Sequence, residues 1–280
     1  MKNAYLTFLS TDSYIYYILG LYESWKETHS QYPLYVCVTA NVSQKTLDIL
    51  KHIGCPFILL DTRELESFNK KKTTKKMCEK YHNALGKLAI FSLTSFDKCV
   101  YLDSDLIIKK NIDDLFNKPD FSAVEDCLPV HKREQKYKLG ASSFNSGVFV
   151  FTPNKIFYQR ILSALRLLPH NIKWHDQAVL AFFNKNWMQQ KKLHLPYVYN
   201  TIVSMQVDVI NHILIKYKTL DDVKVFHYVT YKDAPYTESA FLKSNVYQYY
   251  YDYFSYINSV IKKYNLSLEL IHLENILRQD

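Results

Sequence analysis

The sequence predicts an α/β fold with a mostly parallel central sheet and a helical tail at the C-terminus. Short apolar runs alternate with stretches of helical periodicity through the first half, which is the pattern of βαβ units. Of the 280 residues, 48% are hydrophobic, which is enough to build one large core. No apolar run reaches the roughly 20 residues that a membrane-spanning helix needs, so we expect a single domain without a membrane span.

The first half contains four predicted strands, at residues 4–9, 34–39, 56–60 and 98–102. Predicted helices cover residues 13–28, 43–53 and 81–95. Asp12 or Ser13 is expected to cap the first helix, and Ser43 the second. Short oxygen-bearing side chains accept hydrogen bonds from the free N–H groups of a first helical turn. Together these elements form a βαβ series that ends at residue 102.

The pattern changes after residue 105. The chain predicts a short helical turn at 111–116 and strands at 121–125, 147–152 and 223–229, with helices at 154–168, 175–184 and 241–263. The last of these helices is amphipathic and rich in tyrosine, so we expect its rings to pack on the rest of the domain. The sequence contains no internal repeat.

The chain is basic, with a formal net charge of +8. Much of the excess lies in residues 70–76 and in Lys132, Arg133, Lys136 and Lys138. Such clusters fit anionic small molecules, nucleic acid or membrane surfaces, and also plain solvated loops. The chain lacks a recognition-helix signature, a zinc finger and an aromatic RNA-binding pattern, so we expect no nucleic-acid partner.

Glycine is scarce, at five residues in the whole chain. Neither G-x-G-x-x-G nor G-x-x-x-x-G-K-[ST] occurs, so two common glycine-rich phosphate sites are excluded. A nucleotide phosphate would have to be held by a metal ion or by cationic side chains. The cysteines are widely spaced and form no C-x-x-C pair: Cys37, Cys55, Cys78, Cys99 and Cys127. We interpret them as reduced thiols of a cytoplasmic protein.

Asp103 and Asp105 follow an apolar run at the predicted carboxyl end of a strand, where open α/β sheets bind ligands. On an extended chain both point to the same side, with Ser104 opposite. Together they can bind Mg²⁺ or Mn²⁺ and leave coordination positions for diphosphate oxygens. Two alternatives share this string: turn aspartates that cap the next segment, and the D-x-D-x-[TV] nucleophile loop of haloacid dehalogenase-like phosphatases. The later Gly-Asp-x-x-x-Asp that such phosphatases need is absent.

Five segments carry a more specific signal when they are read together. They are LSTDSY from Leu9, KL at Lys87 before FDKCVYLDSD, NIDDLF from Asn111, FNSGVF from Phe144, and HDQ from His175 with LPYVYN beyond. In order and spacing they resemble the glycogenin-like family of retaining glycosyltransferases. The resemblance implies a GT-A fold, with a catalytic domain over residues 1–236 and a helical extension at 237–280 packed on it. It also implies Mn²⁺ (or Mg²⁺) as the metal and a UDP-sugar as the donor. Such relatives are commonly homodimers.

The resemblance also implies a role for each matching residue. The nucleoside would contact Phe8, Ser10, Thr11 and Tyr14, with Tyr14 stacked on the base. Donor phosphate and sugar would contact Lys87, Leu102, Asp103, Ser104, Asn145, Ser146, Gly147, Asp176, Gln177, His227 and Lys232. The implied metal ligands are Asp103, Asp105 and His227, and the implied catalytic residues are Asp176, Gln177 and Lys232. In so glycine-poor a chain we expect Gly147 to have a steric reason, such as a close backbone approach.

Each of these residues also has a local structural explanation. Tyr14 reads as a core tyrosine at a helix start, Lys87 as a surface lysine, Asp176 as a carboxylate at a helix N-terminus, and His227 as a packed core histidine. A non-catalytic module that binds sugar nucleotides would carry the same segments. The completed set of two aspartates and a late histidine favours the metal-dependent enzyme.

The chain departs from the family pattern in three places. After His227 the family reads H-x-x-G-x-x-K-P-W, whereas this chain has Thr230 for the glycine, Lys232 one place early and Pro-Tyr one place late. Lys173 stands where relatives often carry an acidic residue. No tyrosine follows Asn200 within residues 201–209, where self-glucosylating relatives carry their acceptor, so a separate acceptor is favoured.

Overall fold

The computed structural model describes residues 2–70, 84–126, 144–167, 175–203, 209–228 and 246–271. Its strands are β1 (Asn3–Leu9), β2 (Leu34–Val38), β3 (Phe57–Leu59), β4 (Lys98–Leu102), β5 (Leu106–Ile108), β6 (Ala123–Glu125), β7 (Phe144–Phe151), β8 (His194–Leu195), β9 (Thr201–Ile202) and β10 (Val225–His227). Its α-helices are α1 (Ile15–Glu27), α2 (Gln44–His52), α3 (Arg63–Lys70), α4 (Lys155–Leu167), α5 (Asp176–Phe183), α6 (Val209–Tyr217) and α7 (Tyr247–Lys263). The predicted α/β fold is confirmed.

The large sheet has the strand order β3-β2-β1-β4-β7-β6-β8. β1, β2, β3 and β4 pair in parallel, as do β6 and β8, while both pairings of β7 are antiparallel. The predicted mostly parallel sheet is therefore confirmed. A smaller sheet has the order β5-β10-β9.

Side chains of the large sheet face two hydrophobic layers. Along β1, Tyr5 and Leu9 join a core cluster that includes α1 and α7, whereas Ala4 and Leu6 join a cluster that includes α4 and α5. All four are fully buried. A strand buried on both faces reads as a nearly continuous apolar run, which is why β1 is apolar without strict alternation.

The tyrosine-rich helix α7 packs on α1. Tyr250, Phe254 and Ile257 of α7 are buried in the core cluster that α1 also enters. Lys263 forms an ion pair with Glu23 of α1, and Tyr264 Oη donates to Glu23 Oε2 at 2.8 Å. The boundary at residues 236 and 237 lies outside the described residues.

Helix caps and short elements differ in part from the sequence prediction. Ser43 caps α2 as expected, since its Oγ accepts from the Thr46 N–H at 3.4 Å. The prediction that Asp12 or Ser13 caps the first helix is wrong: residues 12–14 form a 3-10 turn, and the Asp12 carboxylate accepts from the Ser43 N–H at 2.9 Å instead. Residues 84–92 of the predicted helix at 81–95 form a 3-10 helix.

The sequence did not reveal the elements β5, β8, β9, α3 and α6. β8 and β9 have two residues each, which is too short to display a periodicity. Cys37, Cys55 and Cys99 are buried free thiols, while Cys78 and Cys127 lie outside the described residues. Among the helices described, none is long and apolar enough to cross a membrane.

Candidate active site

The candidate site lies at the edge of the large sheet where β1, β4 and β6 end and β7 begins. Because β7 is antiparallel to β4 and β6, its first residues lie beside the last residues of those strands. The Asp103 N–H donates to the Gly147 carbonyl oxygen at 2.8 Å and ties the two segments together. This edge therefore collects polar side chains from four strands, in the position where α/β sheets bind ligands.

Asp103, Asp105 and His227 converge at this edge. One ligand atom of each lies within 4.8 Å of the other two. His227 Nε2 is 3.3 Å from Asp105 Oδ1 and 3.9 Å from Asp103 Oδ2. The antiparallel pairing of β10 with β5 places His227 opposite Leu106, directly after the acidic pair. Two carboxylates and an imidazole suit a divalent cation such as Mn²⁺, so the residues present fit the predicted metal.

Lys87, Asp103, Asp176 and Ser146 form what we call the charged half of the site. Lys87 Nζ lies 3.0 Å from Asp103 Oδ1 and 2.8 Å from Asp176 Oδ2, and it donates to the Ser146 carbonyl oxygen at 2.9 Å. An ammonium group has three N–H donors, so these acceptors use all of them. The Lys87 side chain is only 6% exposed. It therefore bridges two carboxylates of the site instead of lying on the surface.

The charges of this cluster perturb one another. Burial alone would lower the pKa of Lys87, but Asp103 and Asp176 outweigh it and raise that pKa. Burial would raise the pKa of Asp176, but Lys87 outweighs it and holds that pKa below its usual range. Burial raises the pKa of Asp103, because Lys87 and His227 only partly offset burial and the carboxylates of Asp105 and Asp176. Burial thus disfavours the charged form of Asp103 more than the nearby cations favour it.

Asn145, Asn200, Gly147 and His227 form the amide half of the site. The Gly147 N–H donates to Asn145 Oδ1 at 2.8 Å, and Asn200 Nδ2 donates to the same oxygen at 2.8 Å. Asn200 Oδ1 lies 2.9 Å from His227 Nδ1. A Cβ atom at Gly147 would lie 2.5 Å from His227 Cε1, so only glycine admits the ring. The expected steric reason for Gly147 is therefore present.

His227 is held between the two carboxylates and the amide half. It is 4% exposed, so it is a buried imidazole, as the structural explanation required. Burial would lower the pKa of His227, but Asp105 and Asp103 outweigh burial and raise it. A buried histidine that faces two carboxylates and keeps one nitrogen toward them can also bind a metal ion.

A cleft of about 260 Å³ opens beside the acidic pair. Its lining includes Phe8, Ser10 and Tyr14 from the end of β1 and the turn that follows, and Asp176 and Gln177 from α5. Tyr14 is 41% exposed. A Cβ atom at Gly86 would lie 2.9 Å from Phe8 Cζ, so Gly86 lets the Phe8 ring approach the segment that carries Lys87. Of the predicted nucleoside residues, Phe8, Ser10 and Tyr14 thus line the same cleft as the acidic pair, and Thr11 does not.

Gln177 is fixed by two hydrogen bonds. The Ser146 N–H donates to Gln177 Oε1 at 3.1 Å, and Gln177 Nε2 donates to Asp126 Oδ2 at 3.0 Å. Ser146 Oγ donates to Asp176 Oδ2 at 2.7 Å. Asp176 is the first residue of α5, but its carboxylate faces Lys87 and Ser146 as well as the helix N-terminus. Ser146, Asp176 and Gln177 are therefore held in one network at the start of β7, whereas Asn145 belongs to the amide half.

The remaining predicted residues occupy different environments. Leu102 is fully buried in the core, so only its backbone faces the edge. Thr11 Oγ1 is 3.0 Å from Ser13 Oγ. Ser104 is 8% exposed and lines the cleft. Lys232 lies outside the described residues, and so does Lys173.

Sequence reasoning missed two residues of this site. Asp126 directly follows β6, and a carboxylate at the end of a strand parallel to β4 was a usable signal. Asn200 belongs to the LPYVYN segment, where its apolar neighbours gave no sign that its amide reaches His227. Only the pairing of β9 with β10 brings the two together.

The fold and the site define a GT-A-type glycosyltransferase. A crystal structure of the galactosyltransferase LgtC with donor and acceptor sugar analogues has the same fold, with a TM-score of 0.60 at 15% identity over 97% of this chain and 98% of that chain. Mouse xyloside xylosyltransferase 1 gives a TM-score of 0.53 at 16% identity over 84% of this chain and 100% of that chain.

The chain belongs to glycosyl transferase family 8, whose family model matches residues 5–233. It is 28% identical to galactinol synthase 2 of Arabidopsis thaliana over 81% of this chain and 71% of the relative. It is 30% identical to glycogenin-1 of Homo sapiens over 71% of this chain and 53% of the relative. The resemblance to glycogenin-like enzymes is confirmed, and the phosphatase alternative is excluded.

Proposed function

We propose that this protein is a metal-dependent retaining hexosyltransferase that moves a hexose from a UDP-sugar to a separate hydroxyl acceptor. UDP-glucose is the first donor we propose and UDP-galactose the second. The catalytic unit would cover residues 1–236 and carry residues 237–280 as a packed helical extension. The observation that carries the proposal is the convergence of Asp103, Asp105 and His227 beside a cleft.

Asp103, Asp105 and His227 would hold Mn²⁺, or Mg²⁺ in its place. When bound, the cation neutralises charge that develops on the departing diphosphate. Phe8, Ser10, Thr11 and Tyr14 would hold the nucleoside, with Tyr14 against the base. The exposed face of Tyr14 and its place in the cleft lining support that role.

Asn145, Ser146, Asp176 and Gln177 would orient the hexose, and Lys232 would contact the leaving diphosphate. Lys87 would reach the diphosphate only by exchanging one of the acceptors that its ammonium group now contacts. We assign no protein nucleophile, because the retaining route that the family implies lets the leaving phosphate assist the incoming hydroxyl. The protein's contribution is then mainly positioning and electrostatic stabilisation.

The first test measures UDP release from a panel of nucleotide sugars with Mn²⁺, with and without saccharide and polyol acceptors. Asp103→Asn should lower the release rate by about 10³-fold, which corresponds to about 4 kcal/mol of lost charge stabilisation. The matched control is Asp48→Asn, which removes an exposed carboxylate that, among the described residues, bonds Gln44 and Lys51 of its own helix α2. It should leave the rate unchanged.

Two results would contradict the proposal. If no nucleotide sugar is cleaved faster than in buffer with Mn²⁺ and any acceptor supplied, the transferase activity is rejected. If a donor is cleaved but Asp103→Asn and Asp48→Asn behave alike, the transferase activity stands and the assigned metal site is wrong.

A further inference from the structure

We infer that Asn200 is a positioning residue whose side-chain oxygen keeps the proton of His227 on Nδ1 and so leaves Nε2 free to bind a divalent cation. The inference deepens the proposed function and rests on its metal site. Asn200 touches neither the cleft lining nor the two aspartates among the contacts of the described residues; it acts through His227.

The direction of each hydrogen bond in the amide half follows from one backbone group. The Gly147 N–H can only donate, so the Asn145 atom 2.8 Å away is the carbonyl oxygen. The Asn200 atom 2.8 Å from that oxygen must therefore be the amide nitrogen. The other terminal atom of Asn200 is then an oxygen, and it lies 2.9 Å from His227 Nδ1. Because an amide oxygen only accepts, Nδ1 must carry a proton.

The opposite nitrogen faces the acidic pair. His227 Nε2 is 3.3 Å from Asp105 Oδ1, which is where a cation shared with both carboxylates would bind. Neutral imidazole binds metals through the nitrogen that lacks a proton, and metal-binding histidines almost always donate their other N–H to an oxygen acceptor. Asn200 Oδ1 is that acceptor here.

The surroundings leave His227 few other orientations. Asn200 is fully buried and His227 is 4% exposed, so bulk water does not replace a lost hydrogen bond. The ring lies close to Gly147, where a Cβ atom would be 2.5 Å from Cε1. The Val203 N–H donates to the His227 carbonyl oxygen at 2.8 Å, so the backbones that carry the two side chains are also fixed.

The test measures Mn²⁺ affinity without any donor, from the free-Mn²⁺ signal in electron paramagnetic resonance. Asn200→Leu removes the acceptor and should weaken Mn²⁺ binding about 10–100-fold. Asn200→Asp keeps an acceptor for the Nδ1 proton but loses the donor to Asn145 Oδ1, so its Mn²⁺ affinity should lie between those of wild type and Asn200→Leu. The matched control is Thr201→Val: Thr201 is equally buried and its hydroxyl donates to the Tyr197 carbonyl oxygen at 3.0 Å, away from His227.

An Asn200→Leu protein that binds Mn²⁺ as wild type does, or a Thr201→Val protein that loses as much affinity, overturns the role of Asn200. A wild-type protein that binds no Mn²⁺ rejects the metal site itself, and the role of Asn200 with it. Nitrogen NMR of ¹⁵N-histidine wild type covers the case in which Asn200→Leu does not fold. With neutral, metal-free His227 the proton must be on Nδ1, and with Cd²⁺ bound it must stay there; a proton on Nε2 overturns the inference.

Discussion

The charged half and the amide half of the site meet at Asp103 and His227, and different forces hold them. In the charged half, a buried ammonium lies 3.0 and 2.8 Å from two carboxylates. In the amide half, neutral amides form a chain of hydrogen bonds that begins at a backbone N–H. A buried ion is stable only while it is paired, whereas a neutral amide mainly fixes direction. The charged half therefore sets the electrostatic environment of Asp103, and the amide half sets where the histidine nitrogen points.

The largest effect on stability should follow from removing the Lys87 ammonium group of the charged half. Lys87→Met leaves the partly buried Asp103 and Asp176 without their counter-ion, and we expect the free energy of unfolding to fall by about 3 kcal/mol, the lower end for a broken buried pair. Urea denaturation without metal measures it. The matched control is Lys51→Met, because Lys51 is 59% exposed and its ion-pair partner within the described part of the chain is the exposed Asp48. That variant should lose no more than about 1 kcal/mol. Equal losses in both variants would contradict the role of Lys87.

A smaller effect on stability should follow from adding a methyl group at Gly147 in the amide half. In Gly147→Ala the added methyl overlaps the His227 ring, so we expect a loss of about 1–3 kcal/mol in unfolding free energy. Mn²⁺ affinity should fall as well, because His227 must move. The control is Gly20→Ala in α1, where the methyl would lie 3.1 Å from Ile257 Cγ1, a side-chain atom that can shift. Unchanged Mn²⁺ affinity in Gly147→Ala would show that the ring is not held as described.

The smallest effect is a pH dependence that changes sign with metal. The pKa of His227 is raised above its unfolded value of about 6.5, so in EDTA it adds stability that is complete below that pH and is lost as pH rises through the folded pKa. The stability difference between wild type and His227→Gln should therefore shrink as pH rises. In excess Mn²⁺ the difference should grow with pH, because the cation needs neutral imidazole. The same slope in both conditions would separate His227 from metal binding.

The sequence predicted the large elements of this site well and its fine contacts poorly. The apolar run before Asp103 fixed a strand end, and the order of the segments predicted that Asp103, Asp105 and His227 would meet, as they do. Lys87 was expected to approach the donor, yet its three donors are already used within the protein. Which acceptor a buried lysine chooses depends on distances between strands, and no local pattern encodes those distances.

Asn200 and Asp12 are two further residues whose hydrogen-bond partners could not be predicted from the sequence. Asn200 reaches His227 only because β9 pairs with β10, and a two-residue strand carries no periodicity from which that pairing could be inferred. Asp12 has the residue type and position of a helix cap, but the Ser43 N–H at the start of α2 competes for its carboxylate and wins. Capping preferences are local, whereas the partner that a polar side chain finally takes is decided by the tertiary fold.

The antiparallel direction of β7 in the large sheet has a consequence for how the sequence of such a protein can change in evolution. Because β7 runs opposite to β4, the segment after β4 lies beside the start of β7. A main-chain hydrogen bond from residue 103 to residue 147 joins these two segments directly. The placement of Asp103 beside β7, like that of His227 opposite Leu106, is then set by strand pairing and not by the chain that connects the strands. Selection on sugar or acceptor preference can lengthen, shorten or replace those connections while the ion chemistry is passed on unchanged.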